Sequence, residues 1–378
     1  MAQNIRQRLE QLRSRRQGTD RITELSEQAR IAVLAGDQIR EAWQDRASEQ
    51  QPHTRWVLGA MQRVDDNYTR ISIETAKRVG NQLKRSLDAA QRQVDFRLQG
   101  SVPLDVHIRG VSDVDLLTID CDFRTYALAG HKARTNQYGP RSSKTSIDVL
   151  SSLRSHCERT LRDAFQAAKV DANGSKAIKI SGGSLARPVD VVPSHWNDTV
   201  DYQSTTAEHD RAVTILDKSV PMTIDNLPFK HIKLIKASCD VAAGGLRKSI
   251  RLCKHVKADL EQEGSKISLS SFDIASIMYH ADLQILASGR YFELAILTET
   301  QRHLDYLYGN QDYAKTLLVP DGTRRIFDAS HKFSALLSLS VDMDRLVREV
   351  WKEQSPNRNV ESGMLAAYRD SLKSVIVR

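Results

Sequence analysis

Residues 113–120 read Asp113-Val114-Asp115-Leu116-Leu117-Thr118-Ile119-Asp120. Side chains along a β-strand alternate faces with a period of two, so Asp113 and Asp115 point the same way while Val114 points into a core. The apolar run that follows favours a strand, and its start is too polar to be buried without partners. Working outward, Gly100-Ser101 closes an apolar stretch about a dozen residues earlier, and Asp190 stands alone in a second short strand, Pro188-Val189-Asp190-Val191-Val192. If the two strands are neighbours, three carboxylates converge.

That donor set points to phosphate chemistry. Hard oxygen ligands suit Mg²⁺, which keeps its remaining positions for water and substrate phosphates. Two such ions, roughly 3.5–4 Å apart, stabilise both the attacking and the leaving oxygen of an in-line displacement. A glycine at a strand end admits backbone conformations closed to other residues, so amide groups and the small Ser101 hydroxyl can approach a polyphosphate. Gly-Ser alone carries almost no information, and Asp-x-Asp is common at strand ends. Their order along the chain, followed by one aspartate on a later strand, is what is specific.

In that order the motifs resemble the DNA polymerase β-type nucleotidyltransferase superfamily. Within it they are most similar to the CD-NTases, the cGAS/DncV-like nucleotidyltransferases that are bacterial relatives of cyclic GMP-AMP synthase and oligoadenylate synthase. The resemblance rests on Leu98-Gln-Gly-Ser101, Ser112-Asp-Val-Asp-Leu-Leu117 and Val189-Asp-Val-Val-Pro193. It continues in the basic segment Leu246-Arg-Lys-Ser-Ile-Arg-Leu-Cys-Lys254 and in Leu269-Ser-Ser-Phe-Asp-Ile-Ala275. It implies that Asp113, Asp115 and Asp190 are catalytic and hold two Mg²⁺ or Mn²⁺ ions. It further implies that Gly100, Ser101, Lys254 and Ser271 hold the donor triphosphate, with Arg247 and Arg251 on the same basic helix, and that Phe272 stacks on a nucleobase. Spacing agrees independently: Arg247, Arg251 and Lys254 fall at i, i+4 and i+7 on one helical face. Ser270 and Ser271 look like caps of a helix whose N-terminus favours an anion. One departure is that Leu104-Asp-Val-His-Ile-Arg-Gly110 stands where family members often carry Gly-Thr.

Composition narrows the class. With 27% charged and 40% apolar residues and no run near the ~20 apolar residues of a membrane span, the chain reads as an ordinary soluble protein. Its first residues lack the apolar core of a signal peptide, so a cytoplasmic location is expected. Cys121, Cys157, Cys239 and Cys253 show no zinc spacing and read as reduced thiols. Within the family this argues against the zinc element by which the animal sensor grips DNA. The net charge of +8 fits polyphosphate ligands. Basic residues cluster at Arg6, Arg8, Arg13, Arg15 and Arg16 and again at 230–257, without the interleaved aromatics of single-strand binders. Weak electrostatic affinity for nucleic acid is expected and a specific site is not.

The expected fold is α+β and bilobal. Residues 1–54 form an N-terminal helical extension, 55–226 a mixed-sheet nucleotidyltransferase core with a long spine helix, and 227–378 a helical lobe completing the cleft. Apolar or small residues from Val57 to Val94 recur at three or four and predict one continuous helix, with Thr54 as its N-cap. A polar loop at 131–141 could border the active site, and Ser181-Gly-Gly-Ser184 reads as a tight turn. Strands are expected at 177–180, 188–192, 211–217 and 220–224, and helices near 229–243, 245–262, 271–287, 292–307 and 328–352.

The expected activity is template-independent joining of ribonucleoside triphosphates into a cyclic or short linear oligonucleotide, with release of pyrophosphate. By resemblance the product is an antiphage second messenger acting on a separate effector protein. An RNA 3′-end nucleotidyltransferase, a transferase acting on protein or a small molecule, and a noncatalytic nucleotide-binding scaffold are the rivals. A serine hydrolase built on Ser101 or Ser194 with His107, His195 or His280 lacks the Gly-x-Ser-x-Gly elbow.

Overall fold

The computed structural model describes residues 5–17, 41–110, 112–140, 142–355 and 364–377. Helix α1 (Ile5–Gln17) buries Arg8, Leu9, Leu12 and Arg15, a three-four stripe with two arginines in it. Those guanidinium groups find acidic partners on later helices, so the N-terminal basic cluster is partly consumed inside the protein. The rest of the expected N-terminal helical segment, residues 18–40, lies outside the described residues.

The predicted long helix is broken in two. Helix α2 (Pro52–Met61) starts at Pro52, whose fixed φ suits a first turn, with Gln51 at the N-cap. Thr54 is not the cap; its hydroxyl donates to Glu353 Oε2 at 2.8 Å. Helix α3 (Asp66–Ala89) restarts after Asp65, whose carboxylate accepts from the Tyr68 amide at 2.8 Å. The break is held by side chains: Arg251 Nε donates to the Met61 carbonyl at 2.9 Å, and the Arg16 guanidinium to those of Gln62 and Arg63. These bonds satisfy carbonyls that a continuing helix would have used itself.

A seven-stranded mixed sheet follows. Strand β1 (Val94–Gln99) is antiparallel to β2 (Val114–Tyr126). After helices α4 (His131–Arg134) and α5 (Ser146–Ala164) come β3 (Lys169–Asp171), β4 (Ile178–Ser181) and β5 (Val189–Asp198). β5 lies parallel to β2, with Val114 beside Val189 and Asp115 beside Asp190. Its first half pairs with β4 and its second half with β6 (Ala212–Asp217), which carries β7 (Met222–Asn226) on its outer edge; helix α6 (Val200–Thr205) links β5 to β6. The Ser181–Ser184 turn carries Gly182 and Gly183 at positive φ, as a tight connection requires. Helices α3 and α5 cover one face through Val79, Leu83, Leu153 and Leu161, packed on Leu116, Ile178 and Val191.

From Pro228 the chain is helical: α7 (Pro228–Val241), α8 (Gly245–Gln262), α9 (Ser271–Tyr279), α10 (Leu283–Ser288), α11 (Leu294–Gly309), α12 (Gln311–Ala314), α13 (His331–Gln354) and α14 (Leu365–Leu372). The stretch read as one helix over 271–287 is two, separated at Asp282, which caps α10. One hydrophobic cluster joins these helices to Leu9, Leu12 and Trp56–Met61. Helix α2 therefore packs with the helical lobe, and the chain crosses to the sheet at 62–65 rather than at residue 54. Among the described residues no helix is long and apolar enough to cross a membrane, and all four cysteines are free.

Candidate active site

Strand pairing places the carboxylates. Asp115 and Asp190 are opposite each other on adjacent parallel strands, and Asp113 lies two residues before Asp115 on the same side. All three line a cavity of about 650 Å³ between the lobes. Partial burial and mutual repulsion push Asp115 up to about 7, with Asp190 the larger and Asp113 the smaller of the two charges acting on it. Asp190 is pushed up to about 6 by burial and by Asp113. One of its oxygens, Oδ1, is enclosed without any hydrogen-bond partner.

Gly100 is required by geometry. Its φ is +75°, and a Cβ there would stand 2.1 Å from Asp115 Oδ2. The bare backbone lets the end of β1 pass over the carboxylate and leaves Ser101 on the cavity wall. Ser270 and Ser271 line the opposite wall. Ser270 is the N-cap of α9, accepting from the Asp273 amide at 3.0 Å in a reciprocal capping box, and Ser271 is the first helical residue.

The basic face of α8 is placed differently from the sequence expectation. Arg247 Nε donates to Leu104 O at 3.0 Å, Arg251 Nη1 to Asp105 O at 2.6 Å and Lys254 Nζ to Val106 O at 3.0 Å. Three side chains at i, i+4 and i+7 thus clamp three consecutive carbonyls of the loop that follows Ser101. None of the three lines the cavity, so they hold the loop from behind instead of reaching into the cleft. Lys254 also donates to Ser112 Oγ at 3.0 Å, and burial lowers its pKa to about 7 against the pull of Asp115. This loop is the Leu104–Gly110 segment that departs from the family pattern.

Phe272 does line the cavity, but its ring is already covered. His231 stacks on it with ring centroids 4.3 Å apart, and the Arg324 guanidinium lies 5.3 Å from its centroid. Arg324 belongs to the loop Val319–Arg325 and donates to Asp273 at 2.6 Å. The polar loop at 131–141 is not at this site; Tyr138, Gly139 and Pro140 border a separate cavity of about 540 Å³ beside Tyr126. The hydrolase arrangement is absent: Ser194 donates to Thr118 O, and His280 bonds to Leu318 O.

Lys179 escaped the sequence reading. It stands opposite Asp190 on β4, and its ammonium pairs with Asp113 Oδ2. The period-two pattern of Ile178-Lys-Ile-Ser181 carried the signal, since Lys179 is the polar position between two fully buried isoleucines. With Asp113 so engaged, no three acidic, His or Cys side chains among the described residues already surround one point. The donor set nevertheless fits a divalent cation, because three carboxylates share one wall, Lys179 pairs with Asp113 alone, and one oxygen of Asp190 has no partner.

No protein-family model matches the chain. The cyclic dinucleotide synthase CdnE of Yersinia aleksiciae is 46% identical over 363 residues, which span 92% of each chain. The chain belongs to the CD-NTase family. A c-di-GMP synthase of Capnocytophaga granulosa is 31% identical over 73% of this chain and 81% of its own. Among solved structures, a STING-associated CdnE c-di-GMP synthase from Flavobacteriaceae sp. superposes with a TM-score of 0.70 at 23% identity, covering 93% of this chain and 99% of that one. This CD-NTase therefore has the nucleotidyltransferase fold and is a nucleotidyltransferase.

Proposed function

We propose that this CD-NTase joins two ribonucleoside triphosphates into a cyclic dinucleotide, each bond formed by attack of a ribose hydroxyl on an α-phosphate with loss of pyrophosphate. The observation that carries the reading is the register of β2 and β5, which sets Asp115 against Asp190 on the wall that also holds Asp113 and Ser101. The relatives named above as cyclic dinucleotide and c-di-GMP synthases support the choice of product class.

Asp113, Asp115 and Asp190 would hold Mg²⁺ or Mn²⁺, which when bound supplies neutralisation of the triphosphate and of the attacking and leaving oxygens. The chain's own groups do the rest. Gly100 leaves the space and Ser101 the hydroxyl for the donor phosphates, and the N-terminus of α9 with Ser271 favours their charge. Asp190, whose Oδ1 has no partner in the fold, is suited to help orient or deprotonate the acceptor ribose hydroxyl. Positioning and fixed charge account for most of the acceleration in such transfers. The product would act on a separate effector in antiphage signalling, a role supported by the STING association named for a structural relative.

The test is incubation with all four ribonucleoside triphosphates and Mg²⁺ or Mn²⁺, phosphatase treatment, and mass spectrometry. A phosphatase-resistant cyclic dinucleotide that disappears in Asp113→Ala is expected. Elongation of an added RNA 3′ end instead would replace this reading with its nearest rival.

A further inference from the structure

His231, on α7, is 4% exposed yet lines the cleft. Its Nδ1 is enclosed without a hydrogen-bond partner, and no group of the described residues bonds Nε2. Nδ1 is shut in, whereas Nε2 is not among the enclosed atoms, so Nε2 is the ring nitrogen that a ligand in this cavity can reach. An enclosed N–H without a partner is rarer than an enclosed lone pair. The proton accordingly belongs on Nε2, which makes that nitrogen a donor toward the cleft.

The ring stacks on Phe272 and, with Arg324, covers it, so the imidazole is backed by an aromatic face at this wall. Aromatic surroundings suit a nucleobase, and the charge and amides that phosphates seek lie next to them at the start of α9. His231 is also neutral, since burial pushes its pKa down to about 4, and a neutral donor suits an uncharged base edge better than a phosphate.

We propose that His231 reads the nucleobase of a triphosphate bound in this cleft, its imidazole N–H donating to an acceptor on the base edge. The proposal rests on the nucleotide-transfer reading of the same cavity and assigns it a specificity-determining residue. A site built to hydrogen-bond one edge strongly rejects a ligand that leaves its group unpaired.

The experiment compares calorimetric binding of each ribonucleoside triphosphate with that of inorganic tripolyphosphate, which carries the charge and no base. His231→Phe keeps the stack and removes the donor; His231→Gln restores an N–H. Expected is a tenfold or greater loss of affinity for the preferred nucleotide in His231→Phe, substantial recovery in His231→Gln, and unchanged tripolyphosphate binding in both. On the wild-type protein, ¹⁵N-histidine spectra should show the His231 ring nitrogen shifting with nucleotide and not with tripolyphosphate, a readout independent of whether a variant folds. If the wild type prefers nucleotides but His231→Phe keeps its affinities and base ranking, or the ring signal stays still, His231 is not the reader and the nucleotide-transfer reading survives. If the wild type binds nucleotides no better than tripolyphosphate, no base is read and the His231 proposal falls, while the transfer reading stands or falls on the cyclisation assay.

Discussion

Asp115 and Asp190 face each other with Lys254 and Lys179 offsetting their charge only in part, which costs folding energy in exchange for a cation site. The folded-state pKa of Asp115, up at about 7 from an ordinary 3.8, means that the ionised carboxylate is disfavoured in the metal-free fold at neutral pH. Asp115→Asn should therefore raise metal-free stability by about 1–3 kcal/mol while abolishing product, measured by thermal melting in chelator and by pyrophosphate release. A lower melting temperature would contradict the repulsion argument. Lys179→Met should act in the reverse sense. Without the ammonium on Asp113 the cluster is more negative, so the metal-free melting temperature should fall and half-saturating Mg²⁺ should drop severalfold. An unchanged Mg²⁺ titration would show that the pair in the metal-free fold does not compete with the ion. The aspartates themselves were legible from period-two spacing, because a carboxylate in an otherwise apolar strand needs a reason. Lys179 was not, since its partner lies 66 residues away and only the strand register brings them together.

At the scale of elements, helix α8 shows what a sequence pattern leaves open. Its basic stripe at 247, 251 and 254 is plain in the sequence, but its target is a run of backbone carbonyls, and every sequence offers those. Charge spacing says which side chains act together, and only the fold says on what. Arg251→Met would leave the carbonyls of Met61 and Asp105 without their donor and free both the α2–α3 break and the loop beyond Ser101. A loss of about 2–4 kcal/mol in chemical denaturation is expected, with protease cleavage newly appearing near 62–65 or 101–106. If Arg251 served only to bind substrate, stability would be unmoved. The same reasoning explains the missed break in the long helix: apolar periodicity runs through it, because Val64 is buried at 3% in the connection as it would be in a helix. Gly100→Ala tests the strand end directly. The added methyl meets Asp115 Oδ2 and the positive φ is strained, so activity should fall by at least about 100-fold with only modest destabilisation.

For the whole molecule, the two-lobed α+β reading held because helical and strand periodicities change over cleanly at Pro228. What composition left open was where the N-terminal charge goes. Arg8 donates to Asp342 at 2.6 Å and to Glu263, and Arg15 pairs with Asp259, so these guanidinium groups are interior ties and not a surface for nucleic acid. Among the described residues the interior also holds five histidines whose pKa burial depresses: His107, His231 and His303 to about 4, His255 well below its usual value, and His195. Each is neutral in the fold and titrates near 6.5 when unfolded. The unfolded chain therefore binds more protons between about 6.5 and 4, and stability present above 6.5 is lost as pH falls, by up to about 1.4 kcal/mol per pH unit for each residue. Asp115, Asp190 and Asp259 work the other way. With folded values near 7, 6 and 6, the metal-free fold takes up their protons before the unfolded chain does and gains stability on the same descent. Five imidazoles oppose three carboxylates, so melting temperature in chelator should fall as pH drops below 6.5. Saturating Mg²⁺ keeps Asp115 and Asp190 ionised and removes their contribution, making the acid side of the curve steeper. His303→Gln, which can still donate to the Ile277 carbonyl, should flatten it by about one residue's share. A melting temperature constant down to pH 4 would mean that these imidazoles find protons as easily in the fold as outside it.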